Sequence, residues 1–130
     1  MIYRRDPALE FLLLHYAPPK NYWQSLTGNV EEGEEETSAL KREIHEETGL
    51  PTGEIMEVRK MGRFEFSVRG RAFSETVYAV RVRGKSGIDL SINPDHEHNA
   101  YGWFRPETAS RLVRWDQARS AIGEIASAGH

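Results

Sequence analysis

The chain has 130 residues, 38% of them hydrophobic and 28% charged, with a formal net charge of −3, enough for one folded domain with a real core, expected to span residues 1–130. No apolar run approaches the roughly 20 residues that cross a membrane; the longest, Phe11-Leu12-Leu13-Leu14, is strand-sized, and nothing reads as a secretory leader. The absence of cysteine excludes disulfides and thiolate metal sites and fits a reducing, cytoplasmic setting.

Residues 1–4 and 9–16 read as two strands joined by a turn at Asp6-Pro7, and residues 17–21, which include Pro18 and Pro19, as a loop. A short strand over 23–26 runs into a loop at Gly28. Thr37 is the predicted N-cap of a helix that ends at Thr48, with Gly49 at the left-handed stop position and Pro51 just beyond. Residues 54–68 and 71–82 form a predicted long hairpin about Arg69-Gly70. A polar, irregular stretch over 85–98 precedes a strand over 99–104 and helices over 106–113 and 116–128. This order, without internal repeats, predicts an α/β fold with helices on a mixed sheet.

The charge is unevenly placed. Residues 28–50 hold eight acids against Lys41 and Arg42, a net of −6, which leaves +3 for the remainder. Glu43, Glu46 and Glu47 crowd the C-terminal end of the predicted helix. Side chains three and four apart on a helix are neighbours, so the like charges repel, and the negative end of the helix dipole adds to the cost. Such an arrangement makes sense when a doubly positive ion sits among the carboxylates. Leu40 and Ile44 should face the sheet, with Glu43 and Glu47 on the adjacent edge and Glu46 beyond them. Glu31, Glu32, Glu35 and Glu36 read as solvated. No basic run or aromatic-interleaved patch points to a nucleic-acid polymer.

The segment from Gly28 to Leu50 contains a Gly, five free positions, Glu34, seven free positions, and then Arg42-Glu43-Ile44-His45-Glu46-Glu47-Thr48-Gly49-Leu50. This resembles the Nudix box, the signature of the Nudix hydrolases, and Gly28, Glu34, Arg42, Glu43, Ile44, Glu46, Glu47, Gly49 and Leu50 fill every specified position. At about 5–7% usage per residue type, seven such identities arise by chance in fewer than about one chain in a million. The resemblance implies the Nudix fold, an α/β/α sandwich with a mixed central β-sheet. Relatives usually carry a full strand before the position of Tyr3, where here only Met1 and Ile2 stand, so the first strand is expected to be short or the chain to begin late. A basic residue that some relatives use there for phosphate has no counterpart.

Phosphoanhydride hydrolysis needs positioned water and neutralised oxygens rather than covalent chemistry. Mg²⁺ takes oxygen ligands at about 2.0–2.1 Å and keeps several waters, so carboxylates on one helical face can hold it and leave room for phosphate. Two ions about 3.5–4 Å apart could serve the water and the leaving group together. The expected ligands are Glu43 and Glu47, with Glu46 assisting; by resemblance the Thr27 carbonyl joins them. Mn²⁺ should be able to substitute. Arg42 and Glu34 should pair across the loop–helix junction and brace the site, while the loop from Gly28 to Gly33 brings backbone groups to the phosphates. A further carboxylate is needed from outside the box. Glu97, in Asn93-Pro94-Asp95-His96-Glu97-His98, is the candidate, and the resemblance places a metal-binding Glu there. Asp95, His96 and His98 compete for the role, the histidines ranking lower because neutral imidazole suits Zn²⁺ or Mn²⁺ better than Mg²⁺.

The flanks narrow the substrate. The run from Tyr22 to Glu34, and Glu97-His98-Asn99-Ala100-Tyr101-Gly102-Trp103 with Arg119-Ser120-Ala121-Ile122 after it, resemble the dihydroneopterin triphosphate pyrophosphatase branch. Tyr16 and Ala17 stand where relatives in that branch have an Arg pair, and Trp115-Asp116 departs from its pattern. Ser25 and Thr27 offer hydroxyls to a ligand. Trp23, Phe64, Phe66, Tyr78 and Trp103 read first as core packing and second as platforms for a base or pterin. The expected partner is a small-molecule phosphoanhydride, a nucleoside or dihydroneopterin triphosphate, met by a monomer or homodimer, with no membrane and no nucleic-acid polymer involved. The alternatives are a dinucleoside polyphosphate or nucleoside diphosphate sugar hydrolase, and a non-catalytic nucleotide sensor; sensors of that kind usually lose box glutamates, and this chain has lost none.

Overall fold

The computed structural model of the protein describes residues 1–26, 35–84, 87–93 and 97–128, with the side chains of residues 64, 66, 68 and 73–75 outside that description. Strand β2 (Glu10–Tyr16) is the spine of a six-stranded sheet. Its Phe11-Leu12-Leu13-Leu14 run is at most 1% exposed, the near-continuous burial of a strand covered on both faces. Phe11 and Leu13 join a cluster with Ala109, Val113, Ala118, Ala121, Ile122 and Ile125. These come from α2 (Pro106–Leu112), the residue after it, and α3 (Asp116–Ser127). Leu12 and Leu14 point the other way, into a cluster with Ile44 and Leu50, at and just beyond α1 (Glu36–Thr48). The period-two alternation of a strand thus sorts four consecutive apolar residues into two cores. The result is the α/β/α sandwich that the resemblance implies.

The sheet is mixed. Along one edge β2 pairs antiparallel with β6 (His98–Phe104). Along the other it pairs first with β1 (Ile2–Arg4) and then with β3 (Tyr22–Gln24), both antiparallel. The short β1 is parallel to β5 (Arg71–Val82), which forms the long hairpin with β4 (Ile55–Val68). Positive φ at Arg69 (52°) and Gly70 (78°) closes that hairpin, as a two-residue turn matched to strand twist requires. The element order follows the sequence expectation to within a few residues. A one-turn 3-10 helix over Leu90–Ile92 interrupts the stretch expected to be irregular.

The N-cap of α1 is a correction. Glu35, not Thr37, caps the helix: its carboxylate accepts from the Thr37 amide at 3.3 Å, the Ser38 amide at 3.2 Å and the Ser38 hydroxyl at 2.8 Å. A carboxylate caps as a hydroxyl does and also answers the positive end of the helix dipole. Gly49 ends the helix as expected, at φ 74°. A Cβ there would stand 2.7 Å from the Asp89 carbonyl oxygen, so only glycine lets the helix end meet the segment before β6. Across that contact the Asp89 amide donates to the Thr48 carbonyl at 2.7 Å.

Candidate active site

That junction determines which groups meet Glu47. Asn93, buried at the end of the 3-10 turn, donates from Nδ2 to Glu47 Oε2 at 2.6 Å. Glu97 and His98 arrive at the start of β6, where the Ala17 amide donates to the Glu97 carbonyl at 2.8 Å and anchors the strand to the end of β2. Ligand atoms of Glu47, Glu97 and His98 all lie within 4.8 Å of one another. Three residues from two distant parts of the chain therefore converge on one point, with donors that suit a divalent cation.

The three carboxylates of α1 do not share one environment. Glu47 and Glu43 are largely covered, with side chains 19% and 18% exposed, while Glu46 is 52% exposed. This is the edge-and-beyond arrangement that the helical projection predicts. Arg42 bonds from Nη1 to Glu43 Oε1 at 3.1 Å and to Glu46 Oε2 at 3.0 Å, so these two acids share one cation. The expected partner of Arg42, Glu34, lies outside the described residues, as do Thr27, Gly28, Asp95 and His96. Ser25 is buried, and its carbonyl accepts from the Tyr16 hydroxyl at 3.3 Å.

His98 holds a more central place than its rank in the sequence suggests. Its side chain is 2% exposed, and Nδ1 stands 3.8 Å from Glu47 Oε2. Burial pushes its pKa below the ordinary histidine range, Glu97 pulls it back up, and Lys20 pushes it down again. Burial thus disfavours the charged form of the ring. Asn93 has no place among the residues expected from sequence, because a buried amide side chain leaves no mark there until its partner is known.

A series of aromatic contacts runs outward from His98. Tyr16 meets His98 edge-on with centroids 4.4 Å apart, Tyr22 lies 5.4 Å from Tyr16, and Trp115 lies 6.3 Å from Tyr22. Trp115 is 45% exposed and carries the Arg114 guanidinium 5.4 Å from its ring. Of the rings that the sequence offers as platforms, Trp23 packs between His15 and Phe104, and Trp103 lies under Arg4; Tyr78 is packed against the α1-side core. The side chains of Phe64 and Phe66 lie outside the described ones.

The family model of the NUDIX domain matches residues 1–122. The chain belongs to the Nudix family. It is a hydrolase acting on phosphoric anhydride bonds. Over 119 residues it is 28% identical to the asymmetrical bis(5'-nucleosyl)-tetraphosphatase of Rattus norvegicus, covering 92% of this chain and 80% of the relative. Over 132 residues it is 27% identical to the dihydroneopterin triphosphate diphosphatase of Escherichia coli (strain K12), covering 96% and 87%. Its fold matches the crystal structure of a C. elegans Ap4A hydrolase binary complex with a TM-score of 0.78 at 24% identity, over 97% of this chain and 90% of that one. Among the described residues, no helix of this Nudix hydrolase is long and apolar enough to cross a membrane.

Proposed function

We propose that the chain is a Mg²⁺-dependent pyrophosphohydrolase that cleaves a nucleoside or dihydroneopterin triphosphate to the monophosphate and pyrophosphate. The observation that carries this reading is the meeting of box residue Glu47 with Glu97, the residue before β6. The oxygen donors fit a divalent cation: the carboxylates of Glu47 and Glu97, beside a third carboxylate, Glu43, one helical turn away. Glu43, Glu47 and Glu97 would hold the cation, with Glu46 assisting and the Thr27 carbonyl joining by resemblance, and the cation would supply charge neutralisation to the phosphate oxygens. The protein groups do the positioning. Asn93 fixes the direction of the Glu47 carboxylate. Glu97, exposed at the mouth, aligns the attacking water and accepts its proton. Arg42 offsets the repulsion between Glu43 and Glu46. Ser25, with Thr27 and Gly28 by resemblance, would contact the substrate.

A second substrate reading has its own support. The rat relative is named for a dinucleoside tetraphosphate, and the ring series from His98 out to exposed Trp115 extends the site in the direction a second nucleoside would need. A panel of dATP, dihydroneopterin triphosphate and diadenosine tetraphosphate in Mg²⁺ and ¹⁸O-water separates the two. Pyrophosphate from a triphosphate, with ¹⁸O in one product only, is expected. ATP plus AMP from the tetraphosphate as the fastest reaction would move the assignment to the second reading, and inorganic phosphate as primary product would sink both.

A further inference from the structure

The corner formed by Glu47, Glu97 and His98 holds an imidazole whose bonding capacity is unspent. Neither ring nitrogen of His98 has a hydrogen-bond partner among the described residues, although the side chain is 2% exposed. Leaving a buried polar group unsatisfied costs about 1–3 kcal/mol, and native interiors seldom leave one without a reason. The ring is held edge-on by Tyr16, so it cannot simply swing to solvent. Its Nδ1 is 3.8 Å from Glu47 Oε2. That is too far for a hydrogen bond, yet it is shorter than the roughly 4.0–4.4 Å that separates two donors on opposite sides of an ion about 2.0–2.2 Å from each, so both can reach one ion.

We propose that His98 is a nitrogen ligand to a cation held with Glu47 and Glu97, which makes this corner a mixed nitrogen–oxygen pocket selective for Mn²⁺ over Mg²⁺. Mn²⁺ accepts carboxylates as Mg²⁺ does and, as a first-row transition ion, also accepts an imidazole nitrogen, whereas Mg²⁺ demands oxygen donors and near-ideal octahedral geometry. The all-carboxylate side of the site, around Glu43, keeps Mg²⁺; the His98 corner takes the softer ion. The inference rests on the proposed metal-dependent function for the place of the site, and adds to it a ligand and a selectivity.

Pulsed electron paramagnetic resonance of the whole protein with one equivalent of Mn²⁺ reads the nitrogen directly. The expected result is strong modulation from a directly bound ¹⁴N that vanishes in His98→Gln, together with Mn²⁺ affinity lowered about tenfold or more. That floor is the low end of the loss seen when even an outer partner of a metal ligand is removed. Protection of the fold by Mg²⁺ against heat should be unchanged in the same variant. His98→Asn provides a smaller replacement if His98→Gln does not fold, and the spectrum of the unaltered protein decides the question without any variant. Absence of ¹⁴N modulation in the unaltered protein, or its survival in either variant, overturns the proposal. Mg²⁺-supported hydrolysis without nitrogen ligation would remove the pocket and leave the function. Nitrogen-bound Mn²⁺ in a protein that hydrolyses nothing in the panel would do the reverse.

Discussion

The two ends of α1 use the same side chain for opposite purposes. At the N-terminus Glu35 caps the first turn and Glu36 follows it, both exposed, where negative charge meets the positive end of the helix dipole. At the C-terminus Glu43, Glu46 and Glu47 face the negative end, with His45 the basic residue of the last turn. Stability explains the first group. It opposes the second, in which Glu46 and Glu47, in the last turn, each cost about 0.3–1 kcal/mol through the dipole alone, before their repulsion with each other and with Glu43. Acids placed against the physics of the helix, and then held in place by Arg42 and Asn93, are there for something the helix does not supply. Position relative to the dipole, rather than residue type, separates the capping acids from those proposed to do chemistry.

Replacing the acid that is most against the dipole and best held breaks the comparison with the largest effect. Glu47→Gln should lower kcat by about 10²–10⁴, the range of a positioned acid–base or charge-holding group, with the fold intact. Glu97→Gln should fall in the same range, with a smaller change in KM. Metal-free melting of Glu47→Gln should occur no lower than in the parent and rise by about 1–4 °C as the charge at the helix end is relieved. Steady-state kinetics and calorimetry on the same samples check both parts. Near-full activity in Glu47→Gln would detach the site from α1, and a melting temperature several degrees lower would show that Glu47 contributes to the fold after all.

Asn93 sharpens the comparison by testing the hold instead of the charge. A hydrogen bond to a charged group contributes about 1.5–3 kcal/mol, and Asn93 donates to Glu47 from a buried position. Asn93→Ala should therefore lower kcat about tenfold while KM moves less, and Asn93→Gln, which keeps the donor, should recover part of the loss. The split matters because mere loss of packing would lower the melting temperature without dividing kcat from KM. An unchanged kcat would mean that the helix alone aims Glu47.

How much of this is readable in the sequence depends on the range of the interactions. The helix stop at Gly49, the hairpin at Arg69-Gly70 and the buried Phe11–Leu14 strand follow from local chemistry and stand where it puts them. The edge placement of Glu43 and Glu47 follows from helical geometry applied to Ile44. Glu97 needs the family resemblance, since nothing near it in sequence shows that β6 runs beside β2 and starts over the C-terminus of α1. Asn93 and His98 are long-range consequences of that topology: an amide and an imidazole in a polar stretch look solvated until the Thr48–Asp89 junction buries them. The N-cap lies two residues before the hydroxyl that sequence preference selects, because a carboxylate performs the same task.

The smallest expected effect comes from the other end of the helix. The Glu35 carboxyl is held below its ordinary pKa of 4.5, chiefly by the Ser38 hydroxyl and then by the Thr37 and Ser38 amides that it caps. A carboxyl whose folded pKa is depressed stabilises the fold only while it is ionised in the folded state. Its contribution is fully present above the unfolded value and is lost as pH falls through the folded one. Glu35→Ala removes the cap and its charge together. The gap in melting temperature between parent and variant should hold steady from neutral pH down to about 5, then narrow as pH falls below 4.5. The acids at the far end predict no such pattern for Glu35→Ala, and Mg²⁺-dependent turnover at neutral pH should stay within about twofold of the parent, as for a surface change that leaves the site untouched. A gap that widened on acidification would mean that Glu35 is held in its protonated form, and the two ends of α1 would then no longer differ in the way their charges are used.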